Sequence, residues 1–361
     1  MRADVIAAWR CTTTDAFRFA AFPAPMSVFT AELFVEAESS GCRIDTFLER
    51  HFRNYTPWRL QRIVRAGGAT INSAVATETD RVFYGQCVRV ALIEPPDKLL
   101  RTSDEELSIV YEDEWLLVVD KAAGMIAHPA GEYPNGSLAN AIQHRLDQKV
   151  GLKGIARPGI VHRIDRQTSG LMAIALNYTA HRNLAATFEA SRVAKTYVAL
   201  VEGVIRKDAG LIDAPIGRTP TGRNVLMTCR ADGLDRRPSK THFKVLERFE
   251  NHTFVVARPV TGRNHQIRVH FAHIGHPLIG DEFYEAHGVI KPLILDDPNA
   301  DPDEVDTGVE TGFPIRRHAL HAANLAFAHP ITGVWMEFQA PLPQDFRDTI
   351  DDLRIRNTNA V

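Results

Sequence analysis

Between Leu107 and Phe338, runs of strand character follow one another without a helix between each pair, and that irregular order constrains the fold most. Strand patterns fall at 107–111, 115–120, 171–176, 196–202, 241–246, 254–257, 325–328 and 335–338, and helical patterns at 137–146 and 179–190. The first two strands are separated by Glu-Asp-Glu, a hairpin signature. A purely parallel sheet needs a crossover between every pair of strands. The expected class is therefore α+β, a mixed, largely antiparallel sheet with flanking helices. At 361 residues there is room for about two domains.

The earlier segment, 42–95, has a different pattern. Ile44, Phe47, Leu48 and Phe52 recur at the spacing of one helix face. A second short helix starts at Thr56, an N-cap candidate before Pro57, runs through Leu60, Ile63 and Val64, and stops at Gly67-Gly68. Short strands are expected over 69–72 and 88–92, and Pro95-Pro96 closes the segment. Over 42–90 eight arginines oppose four acids, a local +4 in a chain of net charge -2, so a polyanion partner would be held by this patch. Arg59, Arg62 and Arg65, three apart on one side of the second helix, can neutralise successive phosphates; a solvated helix face is the alternative. The motifs Arg43-Ile-Asp-x-Phe-Leu, Trp58-Arg-Leu-Gln-Arg-Ile-Val and Gly68-Ala-Thr-Ile-Asn resemble the alpha-L RNA-binding motif shared with a small-subunit ribosomal protein. Ser73 stands where that motif commonly has Gly, and a left-handed turn there is strained with Ser.

The expected organisation is an N-terminal extension (1–41) without period or motif, the small alpha-L RNA-binding domain (42–95), and a catalytic domain (105–350) carrying an acidic insertion at about 292–312. Four widely spaced cysteines suggest neither zinc nor a dithiol. No apolar run approaches the roughly 18 residues of a membrane span, and Asp4, Asp15, Pro23 and Pro25 interrupt any signal-peptide core. The expectation is a soluble cytoplasmic protein, no membrane partner, and a monomer.

The densest chemical signal is Arg157-Pro-Gly-Ile-Val-His-Arg-Ile-Asp-Arg-Gln-Thr-Ser-Gly, which sets Asp165 between Arg163 and Arg166 in a loop before a strand. A carboxylate flanked by cations stays ionised and can serve as nucleophile or base, although a lone Asp can simply cap a turn. His162-Arg163 is not a kinase catalytic loop, because Asp165 comes one residue late and no glycine-rich loop precedes it. His265, His270, His273, His276, His318 and His321 lack a carboxylate or thiol at ligand spacing, so no metal is expected.

Three further segments join that one: Asp120-Lys-Ala-Ala-Gly-Met-Ile-Ala-His-Pro, Lys195-Thr-Tyr-Val-Ala-Leu-Val-Glu-Gly, and Thr261-Gly-Arg-Asn-His-Gln-Ile-Arg-Val-His continuing through Gly280-Asp281. Together with His318-Ala-Leu-His-Ala, they make residues 42–345 resemble the RluA-type pseudouridine synthase family. Ala122 and Asn264 depart from the Pro and Thr usual there. The resemblance implies that Asp165 is the catalytic aspartate, that Tyr197 stacks on the target uracil, and that Arg268 pairs with the aspartate. Arg163 is the candidate to fill the gap left by an everted base. It implies ribosomal or transfer RNA as substrate, large-subunit ribosomal RNA first, and no cofactor. Read without it, Tyr197 is a core residue of its strand and Arg268 a surface residue on a helix carrying Ile267, His270, Phe271 and Ile274. The competing classes are a non-catalytic RNA-binding or ribosome-assembly factor and a glycosidase, the latter weakened by the lack of an obvious acidic partner in these motifs.

Overall fold

A computed structural model describes residues 29–92, 96–129, 135–149, 153–220, 226–291 and 310–359. Most of the expected N-terminal extension (1–28) and of the acidic insertion (292–309) lie outside the described residues. Two packing units emerge: one of residues 1–104, 140–159 and 176–178, the other of 105–139, 160–175 and 179–361. The first takes in 140–159, which the sequence pattern assigns to the catalytic domain.

The first unit contains β1 (Phe29–Phe34), α1 (Ile44–His51), α2 (Pro57–Arg65), β2 (Ala69–Ile71), β3 (Ala74–Val75) and β4 (Cys87–Leu92). Its sheet has the order β1-β4-β2-β3, all antiparallel. Ile44, Phe47 and Leu48 of α1 and Leu60 and Val64 of α2 bury the helix faces expected from their spacing, against Val88, Val90 and Leu92. Thr56 is the N-cap residue of α2 but its side chain does not cap; instead its N–H donates to Asp97 Oδ2 at 2.7 Å. Strand β1 corrects the reading of residues 1–41 as featureless. Phe29, Ala31 and Leu33 point inward with period two, a pattern that the exposed Phe34 obscures in the sequence. Asn72 and Ser73 both take positive φ (48° and 71°), so the turn is left-handed without the glycine that would relieve it.

The second unit follows with β5 (Ser108–Glu112), β6 (Leu116–Lys121), α3 (Leu138–Lys149), β7 (Gly159–Ile160), β8 (Ser169–Ala175), α4 (Tyr178–Glu189) and β9 (Val193–Glu202). It continues with β10 (Ala209–Asp213), β11 (Ile216–Arg218), β12 (Met227–Thr228), β13 (Leu234–Arg237), β14 (Lys240–Arg248), β15 (His252–Pro259), α5 (Gln266–His273), β16 (Leu320–Ala328), β17 (Trp335–Gln339) and α6 (Gln344–Asn359). Parts of α3, β7 and α4 fall in the first unit. The large sheet runs β10-β14-β15-β9-β16-β8-β6-β5, with β17 also on β16, and its β8–β16 pairing is parallel among antiparallel neighbours. This is the expected mixed, largely antiparallel α+β architecture. The elements from β10 to β13 and α6 had no clear sequence pattern. Strand β13, Leu-Asp-Arg-Arg, is exposed throughout, and α6 presents a sparse stripe of Phe346, Ile350 and Leu353.

Two features of this sheet set the chemistry in place. Every residue of β8 is buried, which explains its unbroken apolar run. At Gly170 (φ 116°) an added Cβ would lie 2.4 Å from the Ala322 carbonyl oxygen, so β8 and β16 approach this closely because position 170 is glycine. The loop 163–168 is thereby set beside the start of β16.

Candidate active site

One pocket of about 590 Å³, counting its open mouth, is lined by Asp165, Arg163, Tyr197 and Arg268 together with His162, Lys195 and Arg263. Four of the residues singled out in the sequence thus meet in one place, within the second unit. Arg59, Arg62 and Arg65 lie on α2 of the first unit. There Arg59 pairs with Asp97 (2.6 Å), Arg65 pairs with Glu78 (2.7 Å), and the Arg62 guanidinium stands 4.9 Å over the Trp58 ring.

Asp165 sits in the loop between β7 and β8 with 15% of its side chain exposed, enough to meet a ligand. Its loop is tied down from below. The Lys121 ammonium, buried at the end of β6, donates to the carbonyls of Ala122, Met125 and Arg166 at 2.8, 2.8 and 3.0 Å. Burial and the neighbouring Arg317 push its pKa down to about 7, while three carbonyl acceptors match the three N–H donors of the charged form. Gly124 N–H also donates to the Arg166 carbonyl (2.9 Å), and Arg166 Nε returns a bond to the Gly124 carbonyl (3.0 Å). From the other side Arg317 Nη1 donates to the Gln167 carbonyl at 2.9 Å.

Arg268 is completely buried, which corrects the reading of a surface arginine on α5. Residues 266 to 272 of that short helix are all buried, so the arginine has no route to solvent and must be neutralised where it stands. Its Nε and Nη2 donate to the two oxygens of Asp281, each at 2.8 Å, a bidentate pair. Nη2 also reaches Glu282 Oε1 (2.9 Å), and Nη1 reaches Asp165 Oδ2 (3.3 Å). Phe283 and Tyr284 lie 4.8 and 5.4 Å from the guanidinium carbon. Burial opposes the charge, but Asp281, Glu282 and Asp165 outweigh it and hold the arginine's pKa well above its usual range. Burial likewise opposes ionisation of Glu282, yet Arg268 and His318 bring it down to about 2. The loop before α5 is fixed by Gln266, whose Oε1 accepts from Thr261 Oγ1 (2.7 Å) and Arg263 N–H (3.0 Å).

Tyr197 stands on β9, register-paired with Ala257 of β15, half-buried against the core and facing the pocket. Burial and the nearby Asp165 charge push its pKa up, so it remains a phenol. His162 is kept neutral, its pKa driven to about 3 by burial and by Lys195; its Nε2 accepts from Ala173 N–H (2.9 Å) and its ring stacks on Phe188 at 4.3 Å. Burial lowers the Lys195 pKa too. The pocket therefore combines one carboxylate, a neutral aromatic wall and cations. That set can bind a flat uncharged ring on a sugar phosphate and bring an acid to the sugar. Asp281 and Glu282, given no role from sequence, accept from the Arg268 that bonds Asp165, and His318 lies against Glu282. Their only sequence signal was membership of the shared motifs or nearness to them. The two carboxylates do not line the pocket, and Glu282 is held ionised, so it cannot supply the proton a glycosidase needs.

Residues 115–273 match the family model described as RNA pseudouridylate synthase. Over 313 residues the chain is 39% identical to the ribosomal large subunit pseudouridine synthase D of Pseudomonas aeruginosa, covering 86% of this chain and 92% of that protein. It is 36% identical over 323 residues to an uncharacterized RNA pseudouridine synthase of Bacillus subtilis, covering 90% and 98%. Among solved structures, human RNA pseudouridylate synthase domain containing 4 shares the fold, with a TM-score of 0.51 at 23% identity over 68% of this chain and 93% of that one.

Proposed function

The chain belongs to the RNA pseudouridine synthase family, and on that footing we propose that Asp165, Tyr197 and Arg268 isomerise uridine in structured RNA, with large-subunit ribosomal RNA the substrate. The observation that carries the reading is the single pocket in which a tethered, arginine-paired carboxylate faces a half-buried tyrosine. The reaction breaks the bond from ribose carbon 1′ to uracil nitrogen 1, turns the base, joins carbon 5 to carbon 1′, and releases the carbon 5 proton. It is redox-neutral and moves no group between molecules. A carboxylate serves it either by attacking carbon 1′ or by taking the carbon 2′ proton.

A paired uridine hides its sugar, so the nucleotide must be everted at a cost of a few kcal/mol. Stacking on Tyr197 returns about 1 to 3 kcal/mol and lets the loosened ring rotate, as a rigid hydrogen-bond frame would not. Arg163, at the pocket rim, fills the gap left in the helix. Residues 42–95 act as the RNA-gripping module and 105–350 as the catalytic domain of one working chain in the cytoplasm. The assignment to ribosomal RNA is supported by the likeness to the ribosomal large subunit pseudouridine synthase D of Pseudomonas aeruginosa. Carbodiimide treatment and primer extension of ribosomal and transfer RNA, with and without the gene, tests it. A stop lost from large-subunit ribosomal RNA is expected; a stop lost from transfer RNA alone reassigns the substrate.

Arg59, Arg62 and Arg65 are the proposed phosphate contacts of α2. Two of them pair with carboxylates on the protein, so binding RNA exchanges those pairs for phosphates. Replacing all three with Ala should weaken RNA binding and reduce the slope of log affinity against log salt by up to about 3. An unchanged slope returns these residues to a solvated face.

A further inference from the structure

Behind the carboxylate, the hydrogen bonds around Arg268 close on themselves. Arg268 Nη1 donates to Asp165 Oδ2 (3.3 Å), and its Nη2 donates to Glu282 Oε1 (2.9 Å). Glu282 Oε2 lies 3.3 Å from His318 Nδ1, and His318 Nε2 lies 2.8 Å from Thr168 Oγ1. Thr168 N–H then donates to the carbonyl oxygen of Asp165 at 3.1 Å. The side chain and the backbone of one residue are thus the two ends of a single chain of contacts. Its members come from three segments: the loop before β8, the start of α5 with the turn after Asp281, and the residues preceding β16. Arg268, His318 and Thr168 are buried, with 0%, 0% and 1% exposure.

We propose that Glu282 and His318 are positioning residues for Asp165, closing a buried ring that fixes the carboxylate from its side chain and its backbone at once. The inference rests on the assignment of Asp165 as the reacting group. Asp281 alone already supplies the bidentate grip that Arg268 requires, so the second carboxylate is not needed to neutralise it. What Glu282 adds is a connection. As an ionised acceptor it requires a donor from His318, so Nδ1 carries a proton and Nε2 faces the Thr168 hydroxyl. Parallel pairing of His321 with Ser169 sets this spacing, and Ser169 Oγ is itself bonded to His321 Nδ1 (2.9 Å). Neither Glu282 nor His318 lines the pocket, so an effect on turnover passes through the ring members that do, Asp165, Arg268 and Thr168.

The test is tritium release from RNA bearing 5-tritiated uridine, with kcat and KM measured for Glu282→Leu, His318→Phe and His318→Gln, each normalised to folded protein. Asp165→Asn is run beside them. Glu282→Leu and His318→Phe, which cannot bridge, should each lower kcat by about ten- to a hundredfold, the rate equivalent of one charged hydrogen bond, with KM nearly unchanged. His318→Gln should stay well above both. Its amide keeps an N–H for Glu282 and an oxygen for the Thr168 hydroxyl, so the ring stays closed. Unchanged kcat in Glu282→Leu and His318→Phe, or a His318→Gln variant that falls as far as His318→Phe, overturns the positioning role while leaving Asp165 in place. Release that survives in Asp165→Asn overturns the underlying assignment instead.

Discussion

Replacing Asp165 with Asn should reduce tritium release from 5-tritiated uridine RNA by roughly 10³-fold or more, the scale expected when the reacting acid is removed. RNA binding should remain nearly intact. The substitution keeps shape and keeps an oxygen for Arg268 Nη1 to bond, so the Arg268 cluster with Asp281 and Glu282 stays neutralised. What it removes is the charge and basicity needed at the sugar, whether the acid attacks carbon 1′ or takes the carbon 2′ proton. Full release by the Asn variant, measured against a binding isotherm on the same RNA, would remove Asp165 from the mechanism.

The second large effect is on stability. Arg268→Met leaves Asp281 and Glu282, with side chains 1% and 7% exposed, without the guanidinium from which both accept. Breaking a buried pair from one side costs about 3 to 5 kcal/mol, since the orphaned carboxylate keeps its desolvation penalty. In a unit of this size that lowers the melting temperature by roughly 10 °C. Lysine at 268 should recover part of the loss, being charged but unable to make the fork to both Asp281 oxygens. Calorimetry of the two variants checks this, and a melting temperature within about 2 °C of the parent for Arg268→Met would mean the cluster contributes little.

How far the sequence reaches depends on how local each signal is. The helix faces of α1 and α2 and the hairpin of β5 and β6 were visible because their patterns complete themselves within a dozen residues. Asp165 stood out locally as a carboxylate framed by arginines before the apolar run of β8, yet the family resemblance, not that frame, separated it from a turn cap. Strand β1 was not, since only three inward residues mark it and its partner β4 lies more than fifty positions on. The support of the site was hidden more deeply. Nothing near Arg268 indicates that it is buried, because its neutralising acids lie 13 and 14 positions away and Asp165 lies 103 away. His318 invited a metal reading in the sequence, and in three dimensions its ring lies between Glu282 and Thr168. Strand order is similarly non-local: β16 inserts between β8 and β9, separating two strands adjacent in the chain.

The parallel seam between β8 and β16 also sets when the loop holding position 165 can be completed during synthesis. The acid at 165 is made early, but the histidines that brace its loop lie 150 and 152 positions downstream of their partners Thr168 and Ser169. A nascent chain that has already emitted the whole 115–273 span would still lack the last supports of that loop. Such distant closures are the slow steps of folding. Synthesis must therefore pass residue 321 before that loop has its full set of buried partners.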